Sequence, residues 1–114
     1  MTKVIGGFIG EADVVEVPAR SMARIMRTVF DLDERQTGFE RQVSFRAIRD
    51  VSNVNVSEVT IATVGLDGRQ TDQEVRVVYR DGLFRRATIA HHGREHSVPR
   101  LSDALGHLLT VNPC

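Results

Sequence analysis

The spacing of apolar residues predicts a β-rich middle with shorter elements at both ends. Residues 2–10 are apolar and glycine-rich, and valines follow at positions 14, 15 and 17. Two short apolar runs around a glycine are typical of a hairpin, which would turn near residues 10–12. Pro18 ends that unit or opens the next one.

Residues 19–32 fit two structures. Positions 22, 25, 26, 29 and 30 are apolar, which is the spacing of a helical stripe. Arg20, Arg24 and Arg27 would then line the opposite side of the helix. In a strand, alternate residues from Arg24 to Leu32 would share one face that carries a single charge. Propensity favours the helix, although pairing with a neighbouring strand can override propensity.

Residues 43–90 carry the alternation that is typical of strands. Val43, Phe45 and Ala47 fall on one side, residues 54–64 are rich in Val, Ile and Thr, and residues 74–80 alternate cleanly. Asp81-Gly82 lies between two apolar runs, and such a pair favours a two-residue hairpin turn. Short connections impose antiparallel pairing, so this region is predicted to form a β-meander.

A helix is predicted at the end of the chain. Pro99 suits its first turn, Ser97 or Ser102 is the candidate cap, and Asn112-Pro113 ends it. The fold class is therefore α+β: an antiparallel sheet with an N-terminal hairpin, a β-meander and a C-terminal helix, in one domain over residues 1–114. Four leucines form the apolar stripe of that helix: Leu101, Leu105, Leu108 and Leu109.

Composition places the chain among ordinary globular proteins. It has 114 residues, of which 41% are hydrophobic and 26% charged. No apolar run approaches the roughly 20 residues of a membrane helix, and the N-terminus lacks the pattern of a signal peptide. Cys114 is the only cysteine, which excludes an intrachain disulfide and a CxxC metal site. We therefore expect no membrane partner.

Charge is balanced overall but uneven along the chain. Lys and Arg number 15, as do Asp and Glu, so a broadly basic nucleic-acid protein is excluded. Between Arg76 and Arg100, however, six arginines face two acids, Asp81 and Glu95, which is a local excess of 6 − 2, or four, positive charges. A neutral total is compatible with a basic face.

The histidines do not form a recognisable motif. His91, His92 and His96, with Glu95, lie at a predicted strand-to-helix turn without the spacing of HExxH. Solvated loop histidines explain them better than a metal site does, so we predict no metal. His107 lies on the flank of the leucine stripe, where a packed or partly exposed histidine is expected.

Other catalytic patterns are also missing from the sequence. Ser102, Asp103 and His107 lie on one predicted helix, a spacing that cannot arrange a nucleophile, a base and an orienting acid around a substrate. Residues 6–10 are glycine-rich but lack GxGxxG and the P-loop lysine. We therefore predict no cofactor and no enzymatic activity.

The strongest functional candidate is the face of the meander opposite its core. Polar and basic residues at alternate positions would project from that face, where arginine contacts phosphate and Ser or Thr donates shorter hydrogen bonds. A merely solvated face is the alternative interpretation, and the pattern alone favours it. The candidate residues are Ser44, Arg46, Thr60, Arg76 and Arg86.

The order of these elements resembles the coat proteins of single-stranded RNA bacteriophages, the levivirus group. The similarity covers most of the chain as a weak pattern without a signature motif. It rests on the opening residues 1–3 and 10–12, the strands 43–47 and 59–64, and the final segments 84–90 and 101–105. Such coats have a strand where residues 22–30 lie and normally two C-terminal helices.

The resemblance implies an intertwined homodimer that assembles into an icosahedral shell, made in the host cytoplasm and found in the virion. Its sheet would bind genomic RNA through Arg46 and Thr60, with Arg76 and Arg86 as further candidates, and through pocketing of unpaired bases. The leucine face of residues 101–109 would be buried across the dimer. The competing hypothesis is a small non-enzymatic α+β module, of the immunity or accessory kind, that binds a protein. A helix over residues 19–30 would favour this module over the coat protein.

Overall fold

Residues 2–4 and 14–113, the part of the chain that the computed structural model describes, form a long β-meander covered on one face by a hairpin and two helices. The α+β fold class is confirmed. In chain order the elements are β1 (Thr2–Val4), β2 (Val15–Val17), α1 (Ala19–Arg35), β3 (Phe39–Arg49), β4 (Asn55–Gly65), β5 (Gln70–Arg80), β6 (Leu83–His91), β7 (Arg94–Val98) and α2 (Leu101–Thr110).

The meander is antiparallel throughout, with the strands in the order β3-β4-β5-β6-β7. Asp81 and Gly82, between β5 and β6, both have positive φ, 52° and 73°. A two-residue turn with positive φ at both positions matches the twist of the strands that it joins, so the predicted hairpin is confirmed. The sheet begins at Phe39, four residues earlier than the alternation predicts, and it gains β7 at its far edge.

Strand β7 corrects the prediction that residues 91–96 form a strand-to-helix turn. The turn itself is His92-Gly93, again with positive φ of 53° and 73°, and His96 lies within β7 opposite Ile89. The strand carries little apolar alternation because it is the exposed edge of the sheet. Its backbone pairing with β6 defines it.

Residues 19–35 are helical, which settles the ambiguity in favour of the apolar stripe. Ile25, Val29 and Leu32 of α1 are buried against the sheet, whereas Phe30 is exposed. The strand that the coat resemblance implies for residues 22–30 is therefore not present, and that expectation is corrected. Over the described residues, neither helix has the length and apolarity that crossing a membrane requires.

The N-terminal hairpin is confirmed by the antiparallel pairing of β1 with β2. Val15 and Val17 are fully buried beneath the start of β4. The side chain of Asn55 donates to the carbonyl oxygen of Val14 (2.8 Å), and the Glu16 N–H donates to Ser57 Oγ (2.9 Å). The predicted turn at residues 10–12, the glycine-rich segment 6–10 and Cys114 lie outside the described residues.

Helix α2 begins without a side-chain cap. Arg100 is its N-cap residue, Ser97 lies in β7 and Ser102 lies inside the helix, so neither predicted serine cap is present. Leu101, Leu105 and Leu108 are buried in the core of their own chain. These three leucines are therefore used inside their own chain, and Leu109, 37% exposed, is the accessible one of the four. A dimer contact through this helix stays a prediction.

Asp50 ties the turn between β3 and β4 to β5. Its Oδ1 accepts hydrogen bonds from the N–H groups of Ser52 (2.8 Å) and Val54 (3.1 Å). Its Oδ2 accepts one from Arg80 Nε (3.0 Å) and lies 2.9 Å from Arg80 Nη2 in an ion pair. The Val54 N–H is the main reason that the pKa of Asp50 lies below its ordinary value, with Arg80 and Ser52 adding to the effect against a smaller cost of burial.

The Asp50→Asn variant is expected to melt at a lower temperature than the wild type at neutral pH, with the gap narrowing below about pH 4. A carboxylate whose pKa is lowered by folding stabilises the fold above its unfolded pKa and loses this effect as pH falls through the folded value. Thermal melts between neutral and acidic pH measure the gap. Asp31→Asn, which removes only the exposed pair with Arg35, is the control. A gap that does not change with pH would contradict the prediction.

Candidate functional site

The two faces of the meander differ in what covers them. The hairpin and both helices pack on the inner face, around Val59, Val77 and Ala87. The other face carries the alternate residues of every strand, is contacted by no described helix, and is called the open face below. Its central row follows the strand register and consists of Ser44, Thr60, Arg76, Thr88 and Ser97.

All five residues singled out in the sequence lie on the open face. Ser44, Thr60 and Arg76 are successive partners in the central row. Arg46 and Arg86 lie together in the next row of the open face, where Arg46 is opposite Glu58 and Arg86 is opposite Val78. Strict alternation in four paired strands brings them together. A role for these residues in binding RNA stays a prediction.

The open face is divided by charge along the strand direction. On one side of the central row lie Glu40, Glu74 and Glu95, with no base, so that half carries 0 − 3, or −3. On the other side, four charged residues give 3 − 1, or +2: Arg46, Arg80, Arg86 and Glu58. The face is therefore dipolar and is not uniformly basic.

The local excess of arginine between residues 76 and 100 is offset by acids from other strands and turns. Arg76 lies 3.8 Å from Glu74 and 3.9 Å from Glu95, and Arg80 pairs with Asp50. Glu74 and Asp50 lie outside that segment of sequence and are brought to it by the sheet. Arg46 and Arg86 make no ion pair with any residue in the described ranges, so they are the two available cations of this face.

Aromatic side chains are missing from the open face over residues 14–113. Phe45, Tyr79 and Phe84 pack in or against the core, Phe39 shares their side of the sheet by alternation, and Phe30 lies on α1. Proteins that read unpaired RNA usually stack its bases on aromatic or guanidinium planes. Here only arginines offer that surface.

A second feature, a cavity of about 580 Å³, lies where the β6–β7 turn meets the end of α2. It is lined by His91, His92, Arg94, His96, His107 and Val111. The His91 and His92 rings stack at 3.9 Å between centroids, and His107 meets His91 edge-on at 5.6 Å. The sequence grouped the first three histidines but missed His107, which joins them through the packing of α2 on β6.

Asp72, which the sequence did not indicate, lies beside His91 without being one of the residues that line the cavity. Pairing of Glu74 with Ala90 brings the start of β5 beside the end of β6. Asp72 Oδ1 is consequently 3.9 Å from His91 Nε2, which also lies 3.2 Å from the carbonyl oxygen of Pro113. Glu95, by contrast, points to the open face, so the predicted grouping of Glu95 with the histidines is not observed.

His107 favours its neutral form more than an exposed histidine does. Burial lowers its pKa, and the neighbouring His91 and His96 lower it further. Its Nε2 is buried and has no hydrogen-bond partner among the described residues. Within the cavity region, this nitrogen is an unused donor or acceptor.

A buried polar row crosses the inner face at the same end of the sheet. Arg41 lies opposite Thr63 in the register of β3 and β4, and the Thr63 hydroxyl donates a hydrogen bond to the Gln73 side chain (2.8 Å). Gln73 comes directly before Glu74, whose register partner Ala90 comes directly before His91. Burial lowers the pKa of Arg41, while Asp33 acts in the opposite direction. The row ends at the histidine cavity, which makes that end of the inner face polar.

No protein family, curated protein or solved structure matches this chain. The open face and the histidine cavity are the two features of the molecule from which a function is inferred.

Proposed function

We propose that the protein is a protein-binding module that dimerises through its open face. The observation that carries this proposal is the separation of the two faces, with the hydrophobic core on one and a largely polar, mixed-charge surface on the other. The helical α1 supports this class over the coat-protein class, because it adds to the covering of the inner face and replaces a strand that the coat resemblance implies.

The partner best suited to this face is a second copy of the same face. Consider a two-fold axis that lies between the two open faces, parallel to the sheets and perpendicular to the strands. This axis reverses the strand direction of the second copy. The acidic half, with Glu74 and Glu95, then lies over the basic half, with Arg46 and Arg86. An isologous contact of this kind satisfies both charged halves at once.

The size and composition of the open face fit such a contact. With strands about 4.8 Å apart and a rise of about 3.3 Å per residue, five strands of up to eleven residues give a face of roughly 700 Å². Standard interfaces bury about 800 Å² on each partner. Ile48, Val56 and the exposed Leu83 supply an apolar margin at the basic end.

Light scattering coupled to size-exclusion chromatography tests the proposal. A dimer of about 25 kDa, twice the 12.7 kDa of one chain, is expected, with dissociation as salt screens the charged halves. A monomer at all concentrations would overturn the proposal, and so would a dimer insensitive both to salt and to changes on this face.

An RNA-binding coat protein is the second candidate function. It is favoured by the position of Ser44, Thr60 and Arg76 in one row, flanked by the unpaired Arg46 and Arg86, on a face free of helices. Electron microscopy of purified protein, with the ratio of absorbance at 260 and 280 nm, separates the candidates. Closed shells that contain nuclease-protected RNA would favour the coat protein. A nucleic-acid-free dimer would favour the module.

A further inference from the structure

We propose that the histidine cavity binds one divalent transition-metal ion, with Asp72, His91 and His92 as its protein ligands. One ligand atom from each residue lies within 4.8 Å of the other two. The site joins the start of β5 to the β6–β7 turn, and none of its three residues is used in the proposed dimer contact.

The separation of the candidate ligand atoms is slightly larger than the separation of two ligands on one metal ion. Two ligands of a tetrahedral zinc ion, each about 2.1 Å from it, lie roughly 3.4 Å apart. Asp72 Oδ1 and His91 Nε2 are separated by 3.9 Å, which is too long for a hydrogen bond and about half an ångström longer than a shared ion requires. Asp72 and His92 are exposed, so their side chains are free to rotate toward His91.

The ligand types indicate the class of metal. Two imidazoles and one carboxylate suit zinc, nickel, cobalt or copper better than calcium or magnesium, which take oxygen ligands. His91 must bind through a nitrogen without a proton, so binding through Nε2 places the proton on Nδ1 and ends the contact with Pro113. His96 and His107 line the same cavity but are not in the ligand group.

The backbone holds His92 at a defined place in the β6–β7 turn. His92 occupies the first position of a tight turn with φ of 53°. At the equivalent position of the preceding hairpin turn the chain has Asp81, and within the described residues Asn53 is the other non-glycine residue with positive φ. Asn, Asp and His are the non-glycine residues that most often adopt positive φ, so the turn accommodates a histidine at this position without unusual strain.

Titration calorimetry of the full chain with zinc chloride, after treatment with a chelator, tests the site. One ion per chain is expected, with a higher melting temperature in its presence. Substitution with cobalt(II) is expected to give the visible absorption of a four-coordinate site. Absence of binding with excess zinc would overturn the proposal.

Matched variants identify the ligands. His92→Asn fits the positive φ of the turn, and Asp72→Asn preserves shape, so each is expected to fold and to weaken zinc binding at least roughly tenfold. His96→Asn is the control, because His96 lines the same cavity but is not in the ligand group. Equal weakening by all three variants would indicate a diffuse attraction of histidines for the ion and would overturn the assignment, as would unchanged binding by His92→Asn.

Discussion

Replacing Leu108 with alanine is expected to lower the free energy of unfolding by about 2–5 kcal/mol, a large share of the roughly 5–15 kcal/mol that holds a domain of this size together. Leu108 is fully buried inside its own chain, where α2 packs on β6 and α1. Truncation removes apolar burial and leaves a cavity in a region bounded by two helices and the sheet. Little local rearrangement can fill it.

Leu109→Ala is the matched control, because it is the same substitution one residue later on the accessible side of α2. It is expected to cost less than about 1 kcal/mol. Denaturant unfolding at two protein concentrations measures both variants. If the leucines were buried across a dimer, the loss for Leu108→Ala would depend on concentration, whereas an intrachain role predicts the same loss at both. Equal losses for the two variants would contradict the structure of α2.

The elements with strong periodicity were predictable from the sequence. The stripe through Ile25 and Val29 predicts α1, and the alternation of β3 to β6 predicts both the meander and its two faces. The open face follows because residues two apart on paired strands must share a side of the sheet. The sequence alone was therefore enough to place Ser44, Thr60 and Arg76 on one face of the sheet.

Features that depend on pairing between distant segments could not be predicted. β7 carries little apolar alternation, so nothing in its own sequence marks it as a strand. His107 and Asp72 reach the histidine cavity through helix packing and strand register, neither of which local spacing encodes. The same holds for charge: the arginine excess after residue 76 is offset by Asp50 and Glu74, which the sheet places beside it.

The double variant Arg46→Glu/Arg86→Glu is expected to weaken dimerisation at least about a hundredfold, or roughly 2.8 kcal/mol. The change makes the basic half of the open face acidic, so that it opposes the acidic half of the second copy. Neither arginine makes an ion pair with a described residue, so the chain itself is expected to remain folded. The glutamate at position 46 would lie opposite Glu58, and this repulsion is expected to lower the free energy of unfolding by less than about 1 kcal/mol. Sedimentation equilibrium measures the dimer, and thermal melts check the fold.

Two comparisons connect this loss to the open face. Arg20→Glu/Arg27→Glu makes the same change of charge on the exposed side of α1 and is expected to leave the dimer intact. Glu74→Lys/Glu95→Lys reverses the other half and is expected to abolish self-association by itself, yet to form a heterodimer when mixed with Arg46→Glu/Arg86→Glu. Such rescue requires that the two altered halves meet each other, because general changes in charge or stability would not restore binding on mixing. Failure of the mixture to associate would show that the open faces do not contact one another in this orientation.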